Sequence, residues 1–191
     1  MISINGYQIH SLLAKGGMAS IYLAVQNSLQ REIVLKILKP ELDKKIRERF
    51  VDEGRIIAQL KHPNIITVYD VGSDCINNTE YHFLAMEYLE GGDLESVMTT
   101  GMDSFSVLDI MQQITDALHL VHQQGIIHAD IKPANILFRC NGCPVLTDFG
   151  ISRRKNSSRT VSTCEDVYAS PLYAAPELIQ GQDYDQRADI Y

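Results

Sequence analysis

The hydrophobic pattern of this chain changes its period part-way along, and that change limits the folds open to it. Up to about residue 87, apolar residues cluster in short β-branched runs typical of strands, around one amphipathic segment at 43–60. Beyond a glycine pair near residue 91 they recur at helical spacing, most clearly at Ile110, Ile114, Leu118 and Val121. Strands followed by helices predict an α+β fold, with a small β-rich part and a mostly helical part.

Composition and charge argue against several classes of protein. A net charge of −7 disfavours a general nucleic-acid binder, which needs a basic surface. No apolar run approaches the roughly 18 residues of a membrane span, and the first residues lack the basic start of a signal peptide. Four cysteines are too few for a disulfide framework and fit a reducing compartment. We therefore expect a cytoplasmic protein with no membrane segment in this chain; an anchor beyond Tyr191 stays open.

Cys140 and Cys143 form a CxxC pair with two interpretations. In the first, the pair would be half of a zinc site, but the sequence has no second CxxC or HxxxH to complete four ligands. Alternatively, Asn141-Gly142 between the two cysteines is a hairpin-turn signal. The sequence favours the turn.

A carboxylate, Glu53, falls on the apolar stripe of the amphipathic segment, between Phe50 and Ile57. A charge on a buried face needs a partner, and Lys36, at the end of an apolar run, is the obvious candidate. Taken alone, the spacing favours a plainer alternative, in which Glu53 lies at the edge of the stripe and Lys36 reaches water.

Four further segments favour the pairing of Lys36 with Glu53 over this plainer alternative. In chain order they are the glycine-pair loop at Leu13–Tyr22, then His128–Asn135, Asp148-Phe149-Gly150 and Ala175-Pro176-Glu177. With Lys36 and Glu53 between the first two, this set resembles the signature of protein kinases. The resemblance runs from about Tyr7 to Tyr191 and is closest to bacterial-type, eukaryotic-like serine/threonine kinases.

The resemblance implies a two-lobed protein-kinase-like fold. The N-lobe would comprise residues 1–86, the hinge 87–92 and the C-lobe 93–191. Asp189-Ile190-Tyr191 matches the opening of the hydrophobic helix that anchors the C-lobe, so we expect the C-lobe to be truncated. Asp189 would still reach the backbone near His128. We expect the chain by itself to have a loose C-lobe and little activity.

The implied activity is transfer of the γ-phosphoryl group of ATP to protein serine or threonine hydroxyls. In the family, Lys36 would contact the α- and β-phosphates and Glu53 would hold it by an ion pair. Asp130 would orient the substrate hydroxyl, and Lys132 would neutralise charge at the γ-phosphate. Lysine at that position is the serine/threonine pattern, which disfavours tyrosine as a substrate.

The same resemblance assigns the nucleotide and metal contacts. Asn135 and Asp148 would hold Mg²⁺, which prefers oxygen ligands. The carbonyl of Glu87 and the amide of Leu89 would bind the adenine edge, and Asp93 would reach the ribose. The other ATP-binding positions are in the glycine-rich loop and the walls of the adenine site: Leu13, Ala14, Lys15, Gly16, Gly17, Met18, Ala19, Ser20, Ile21, Val34, Met86 and Leu137.

Some positions depart from the family pattern. Ala14 and Ala19 stand where the glycine-rich loop usually has glycine, which predicts a stiffer loop and weaker ATP binding. Val34, where alanine is usual, would narrow the adenine site. Ala129 replaces an arginine that pairs with a phosphorylated activation loop, so phosphorylation within 157–163 is expected to matter little.

By the same resemblance, the segment that contains Ser170, Pro171 and Glu177 would dock the substrate. Ser170, in place of the usual threonine, keeps a hydroxyl that would bridge Asp130 and Lys132, while Pro171 and Glu177 resemble a peptide-docking segment. The expected partners are therefore proteins with serine or threonine residues, with self-association for autophosphorylation, and no nucleic acid. The resemblance to a peptide-docking segment also disfavours a small-molecule phosphotransferase.

The competing class is a catalytically inactive, kinase-like nucleotide-binding or scaffold module. Such proteins typically lack Lys36, Asp130 or Asp148, and all three are present here. A truncated chain with no independent function is the third alternative.

Overall fold

The computed structural model describes residues 3–149 and 172–191, together with the backbone of Arg153–Arg154. The sequence-based expectations for Gly150, for 157–163 and for Ser170-Pro171 lie outside these residues. The chain divides into two compact units. The first takes Ile66–Tyr88 and the chain up to Lys61, and the second takes His62–Ile65 and the chain from Leu89 onward.

The first unit is built on a five-stranded antiparallel sheet in the order β1-β2-β3-β5-β4. Its strands are β1 Tyr7–Lys15, β2 Ala19–Gln26, β3 Arg31–Leu38, β4 Val68–Ile76 and β5 Thr79–Glu87. Asn77 and Asn78 join β4 to β5 with φ values of 50° and 63°, the left-handed conformation that a two-residue hairpin turn requires and that asparagine tolerates. The five-stranded sheet confirms the prediction that the first part of the chain is rich in strands.

One helix, α1 (Lys44–Ile57), packs on β4 and β5. Asp43 caps it, because its carboxylate accepts the Ile46 amide at 2.9 Å. Gly54 permits the close approach: a Cβ there would lie 2.3 Å from Cδ2 of Leu84. The helix therefore rests directly on the sheet at its one glycine.

The second unit is mostly helical. Its longest helix, α3 (Ser104–Gln123), buries the stripe predicted at Ile110, Ile114, Leu118 and Val121. Gly125, with a φ of 69°, turns the chain out of the helix. The remaining elements are α2 (Leu94–Thr100), β6 (Ile126–Ile127), β7 (Ile136–Phe138), β8 (Pro144–Leu146), β9 (Arg153–Arg154), α4 (Pro176–Ile179) and short 3₁₀ turns at Pro133–Asn135 and Gln186–Asp189.

The CxxC pair brackets the turn between β7 and β8. The Gly142 amide donates to the Arg139 carbonyl, and Gly142 has a φ of 81°. Cys143 Sγ accepts from Asn64 Nδ2 at 3.4 Å. The hairpin predicted around Asn141-Gly142 is therefore present.

The sequence suggests a strand from about Ile65, but β4 begins only at Val68. The difference arises because Asn64 and Ile65 pair within the second unit. The Leu146 amide donates to the Asn64 carbonyl at 2.8 Å, and Asn64 Nδ2 donates to the Pro144 carbonyl at 2.7 Å. Long-range pairing thus overrides the local strand signal.

No helix in the described ranges is long and apolar enough to cross a bilayer.

Candidate active site

His128 is completely buried and organises the turn that leads to Asp130. Its Nδ1 accepts the Asp130 amide at 3.2 Å, and its Nε2 lies 3.0 Å from the Thr147 carbonyl. These two partners fit a neutral imidazole with its proton on Nε2. Burial lowers the pKa of His128 below its ordinary value, and the nearby carboxylates, foremost Asp189, oppose this without reversing it.

Asp189 holds the backbone of the same loop from the 3₁₀ turn near the end of the chain. Its Oδ2 accepts the His128 amide at 2.9 Å, and its Oδ1 accepts the Ala129 amide at 2.7 Å. His122 Nε2, from α3, lies 2.7 Å from Oδ2. The expectation that Asp189 reaches this backbone is confirmed. One buried carboxylate thus joins the loop, α3 and the final turn.

Ala129 adopts a φ of 64°, which L-residues with a Cβ disfavour by about 1–2 kcal/mol. The bond from its amide to Asp189 stabilises that conformation. Because the reversed turn at Ala129 sets the direction in which the chain enters Asp130, Asp189 indirectly positions the Asp130 carboxylate.

Two side chains converge on the carboxylate of Asp130. Lys132 Nζ lies 2.8 Å from Oδ2. Asn135 Nδ2 donates to the same oxygen at 2.8 Å and to the Asp130 carbonyl at 2.8 Å. The side chains of Asp130 and Lys132 are only 15% and 20% exposed. Asp130 is therefore a fixed hydrogen-bond acceptor beside a fixed positive charge.

Asn135 and Asp148 carry side-chain oxygens, the ligand type that could hold a divalent cation. Asn135 Nδ2 donates to the carbonyl and the carboxylate of Asp130, so the amide oxygen Oδ1 is the atom that could bind a metal. Thr147, which precedes Asp148, donates its amide and hydroxyl to the Asn135 carbonyl at 2.9 and 3.1 Å. The backbone of Asn135 is thus bonded to Thr147, the residue that precedes Asp148. Mg²⁺ commonly takes one or two protein oxygens and completes its shell with water and phosphate oxygens.

No group of three or more His, Cys, Asp or Glu side chains able to hold a metal occurs within the described part of the chain.

In the first unit, Lys36 and the helix that carries Glu53 both contact Leu84. Lys36 pairs with Leu84 across β3 and β5, so their side chains share a face of the sheet. Gly54, the helical neighbour of Glu53, rests on the Leu84 side chain. Both Lys36 and Glu53 are half-buried. The helix α1 therefore lies over the face that carries Lys36, and the ion pair between them stays a prediction.

The glycine-rich loop joins β1 to β2 and closes on itself, since the Gly16 amide donates to the Ala19 carbonyl at 2.9 Å. A Cβ on Gly16 would lie 3.2 Å from that carbonyl oxygen, so a larger residue is disfavoured there. Leu13, Ala14 and Lys15 end β1, and Ala19, Ser20 and Ile21 begin β2.

Some of the residues that the sequence assigns to adenine binding belong to the first unit and others to the second. In the first unit Val34 pairs with Met86 across the sheet, and the Glu87 side chain accepts the Thr67 amide at 2.8 Å. In the second unit Leu89 is buried and Leu137 lies in β7.

Asp93 caps α2. One of its carboxylate oxygens accepts the Ser96 amide at 2.7 Å and the other accepts the Ser96 hydroxyl at 3.1 Å. The cap that its position predicts is present.

Glu177 lies in the first turn of α4. Arg187, which the sequence reasoning overlooked, has its pKa raised mainly by a hydrogen bond to Asp185, with Glu177 adding a smaller attraction. No local pattern marks Arg187, because its proximity to Glu177 depends on the fold.

A family model described as "Protein kinase domain" matches residues 7–191. The chain belongs to this protein kinase family. The kinase fold and the bacterial-type resemblance stated above are therefore confirmed, and the family as such implies ATP and a divalent metal.

Several bacterial relatives match the kinase domain along almost its whole length. It is 39% identical over 193 residues to serine/threonine-protein kinase PknJ of Mycobacterium tuberculosis and 37% identical over 189 residues to serine/threonine-protein kinase PrkC of Bacillus subtilis. It is 35% identical over 190 residues to the probable serine/threonine-protein kinase SCO3848 of Streptomyces coelicolor. Each match covers 97% of this chain but only 28% to 32% of the relative, so the chain spans about a third of their length.

Acid should destabilise this kinase domain through His128. Burial holds the folded-state pKa below the unfolded value of about 6.5. Above pH 6.5 the side chain is therefore neutral in both states, and His128 does not lower the free energy of unfolding. Below it the unfolded chain binds a proton that the folded protein resists, so unfolding free energy should fall by up to about 1.4 kcal/mol per pH unit. Denaturant unfolding between pH 7.5 and 5.5 measures this slope. In His128→Gln the slope should be smaller, and equal slopes in both proteins would contradict the assignment.

Proposed function

We propose that this chain is the catalytic part of a serine/threonine protein kinase that transfers the γ-phosphoryl group of ATP to protein hydroxyls, with Mg²⁺ as the metal. The observation that carries the proposal is the Asp130 carboxylate, held by Lys132 and Asn135 at 2.8 Å each. Phosphoryl transfer needs positioning and charge stabilisation more than covalent help, and this arrangement supplies both.

Each residue has a definite task in the proposed reaction. Asp130 accepts a hydrogen bond from the substrate hydroxyl and orients its oxygen for attack. Lys132, beside it, offsets negative charge on the transferred group. Asn135 and Asp148 would hold Mg²⁺, which when bound neutralises the phosphate oxygens. Lys36, supported by Glu53, would bind the α- and β-phosphates.

Nucleotide recognition is proposed at the positions that the family match assigns. The glycine-rich loop would cover the phosphates, and the backbone of Glu87 and Leu89 would bind the adenine. Asp93 would reach the ribose only by sharing its carboxylate, because both oxygens already bond Ser96. Ser170, Pro171 and Glu177 are proposed to dock the peptide.

The scaffold alternative has less support. An inactive kinase-like module would not need a lysine and an asparagine directed at Asp130. We propose that the protein acts in the cytoplasm, where ATP is available and where the free thiols of Cys75, Cys140 and Cys143 stay reduced. Protein substrates are proposed, and autophosphorylation would require self-association.

The amino acid modified is the test of this proposal. Lysine at position 132 predicts phosphoserine and phosphothreonine after incubation with ATP and Mg²⁺, with phosphotyrosine at background level. Acid hydrolysis of the labelled product, followed by separation of the three phosphoamino acids, measures this directly. Predominant phosphotyrosine would overturn the serine/threonine assignment but keep the kinase activity.

A further inference from the structure

Lys39, the residue after β3, holds two successive carbonyls of the glycine-rich loop. Its amide donates to the Met18 carbonyl at 2.9 Å, and its Nζ donates to the Gly17 carbonyl at 2.5 Å. All three residues belong to the first unit, so the contact is internal to it.

The two bonds differ in what they require of the sequence. The backbone bond continues the β2–β3 ladder one step beyond the Ala19–Leu38 pair, and any residue except proline would supply it. The bond to Gly17 depends on the lysine side chain. It therefore reflects the residue type at position 39 and not merely the fold.

Packing does not fix the peptide that Lys39 holds. A Cβ built on Gly17 would meet no atom within 4 Å, so nothing packs against Gly17 on that side. On either side the loop is anchored: Gly16 bonds to Ala19, and Met18 packs against the cluster of Leu38, Phe50 and Leu84. The Gly17–Met18 peptide between these anchors is oriented by the ammonium group.

We propose that Lys39 is a positioning residue for the nucleotide. In a trans peptide the carbonyl and the following amide point in opposite directions. Holding the Gly17 carbonyl towards Lys39 therefore turns the Met18 amide the other way, where it can donate to an anionic ligand. Backbone amides held in this manner form the cradles that bind phosphate groups.

This role rests on the proposed kinase function, because the anion is taken to be the triphosphate of ATP. Lys39 acts through the loop and does not touch the nucleotide. It reduces the ordering that the loop must undergo on binding, and such preorganisation increases affinity.

The test compares Lys39→Met and Lys39→Arg with the wild-type protein and with Lys44→Met. Lys44 is a matched control because its side chain is 82% exposed on α1. Calorimetric titration with Mg²⁺ and ATP gives the dissociation constant, steady-state kinetics gives KM and kcat, and amide hydrogen exchange at 16–20 reports on the loop.

Lys39→Met should weaken ATP binding by about three- to tenfold, equal to about 0.7–1.4 kcal/mol, and raise KM for ATP in parallel. At saturating ATP, kcat should stay within about twofold, since binding and not the transfer step is affected. Exchange of the Gly16 amide, which is protected by its bond to the Ala19 carbonyl, should be faster because the loop is less restrained. Lys39→Arg, which keeps a charged donor, should restore affinity and protection, and Lys44→Met should match the wild type.

Two results would overturn the proposal: unchanged ATP affinity with unchanged exchange in Lys39→Met, or a Lys39→Arg variant as impaired as Lys39→Met. Failure of the kinase proposal gives a different result: the wild-type protein would then transfer no phosphoryl group to protein, whether or not it binds ATP. In that case the exchange measurement still decides whether Lys39 orients the loop: faster exchange in Lys39→Met supports the restraint, and unchanged exchange excludes it.

Discussion

Asp130→Asn is expected to lower kcat by about 10²- to 10⁴-fold while leaving ATP affinity within about threefold of the wild-type value. The amide keeps the shape of the carboxylate and one oxygen for Lys132 and Asn135, so the loop should remain folded. It no longer offers the negatively charged acceptor that the substrate hydroxyl requires. The loss corresponds to about 3–5 kcal/mol of transition-state stabilisation.

The matched control for this change is Asp52→Asn. Asp52 is an exposed residue of α1 whose side chain lies 3.4 Å from Arg55, and its substitution should leave both quantities unchanged. Steady-state kinetics and calorimetric titration of the same preparations provide the comparison. A variant that keeps more than about a tenth of wild-type kcat, a loss under 1.4 kcal/mol, would remove Asp130 from the proposed role.

Asp189→Asn is expected to destabilise the folded protein by about 2–4 kcal/mol. The carboxylate accepts two backbone amides and faces His122 at 2.7 Å, and its side chain has no exposed surface. An amide in its place directs an N–H group at one of these donors or leaves that donor unpaired. Thermal unfolding should show a decrease in Tm of about 5–15 °C.

Turnover should fall together with stability in Asp189→Asn, because the left-handed conformation of Ala129 loses a bond that stabilises it. Asp183→Asn, six residues earlier and exposed, is the control and should change neither quantity. An Asp189→Asn protein with wild-type Tm would show that the three bonds contribute little and would exclude Asp189 as a support of the catalytic loop.

The elements that depend on local pattern could be predicted from the sequence. The helical spacing of Ile110, Ile114, Leu118 and Val121 predicts a buried stripe, and all four side chains are buried. Asn77-Asn78 predicts a turn, and both residues adopt positive φ there. In each case the residues that predict the helix or turn lie within a few positions of it in the sequence.

Features that depend on distant partners could not be obtained from pattern alone. Ile65 reads as the start of a strand, yet Asn64 and Ile65 pair with β8, about 80 residues away. The bond from Lys39 to Gly17 spans 22 residues and leaves no periodic signal. The approach of Asp189 to His128 was expected only from the family resemblance, since spacing cannot bring together residues 61 positions apart.

The role of Gly54 in α1 likewise could not be predicted from the local sequence, because it depends on a contact with the sheet. In the sequence, Gly54 looks like a weak point in a helix, because glycine is a poor helix former. In the structure it is where α1 touches Leu84, the residue paired with Lys36. The cost in helix propensity is offset by the close packing of α1 on the sheet.

Transfer of label from ATP separates an enzyme from a binding module most directly. The protein is incubated with Mg²⁺ and a protein substrate, once with ATP labelled at the γ-phosphate and once with ATP labelled at the α-phosphate. Our account predicts acid-stable label on protein serine or threonine from the γ-labelled nucleotide only, and none with Asp130→Asn. Nucleotide binding without covalent label from either ATP, with Mg²⁺ or Mn²⁺, would contradict it.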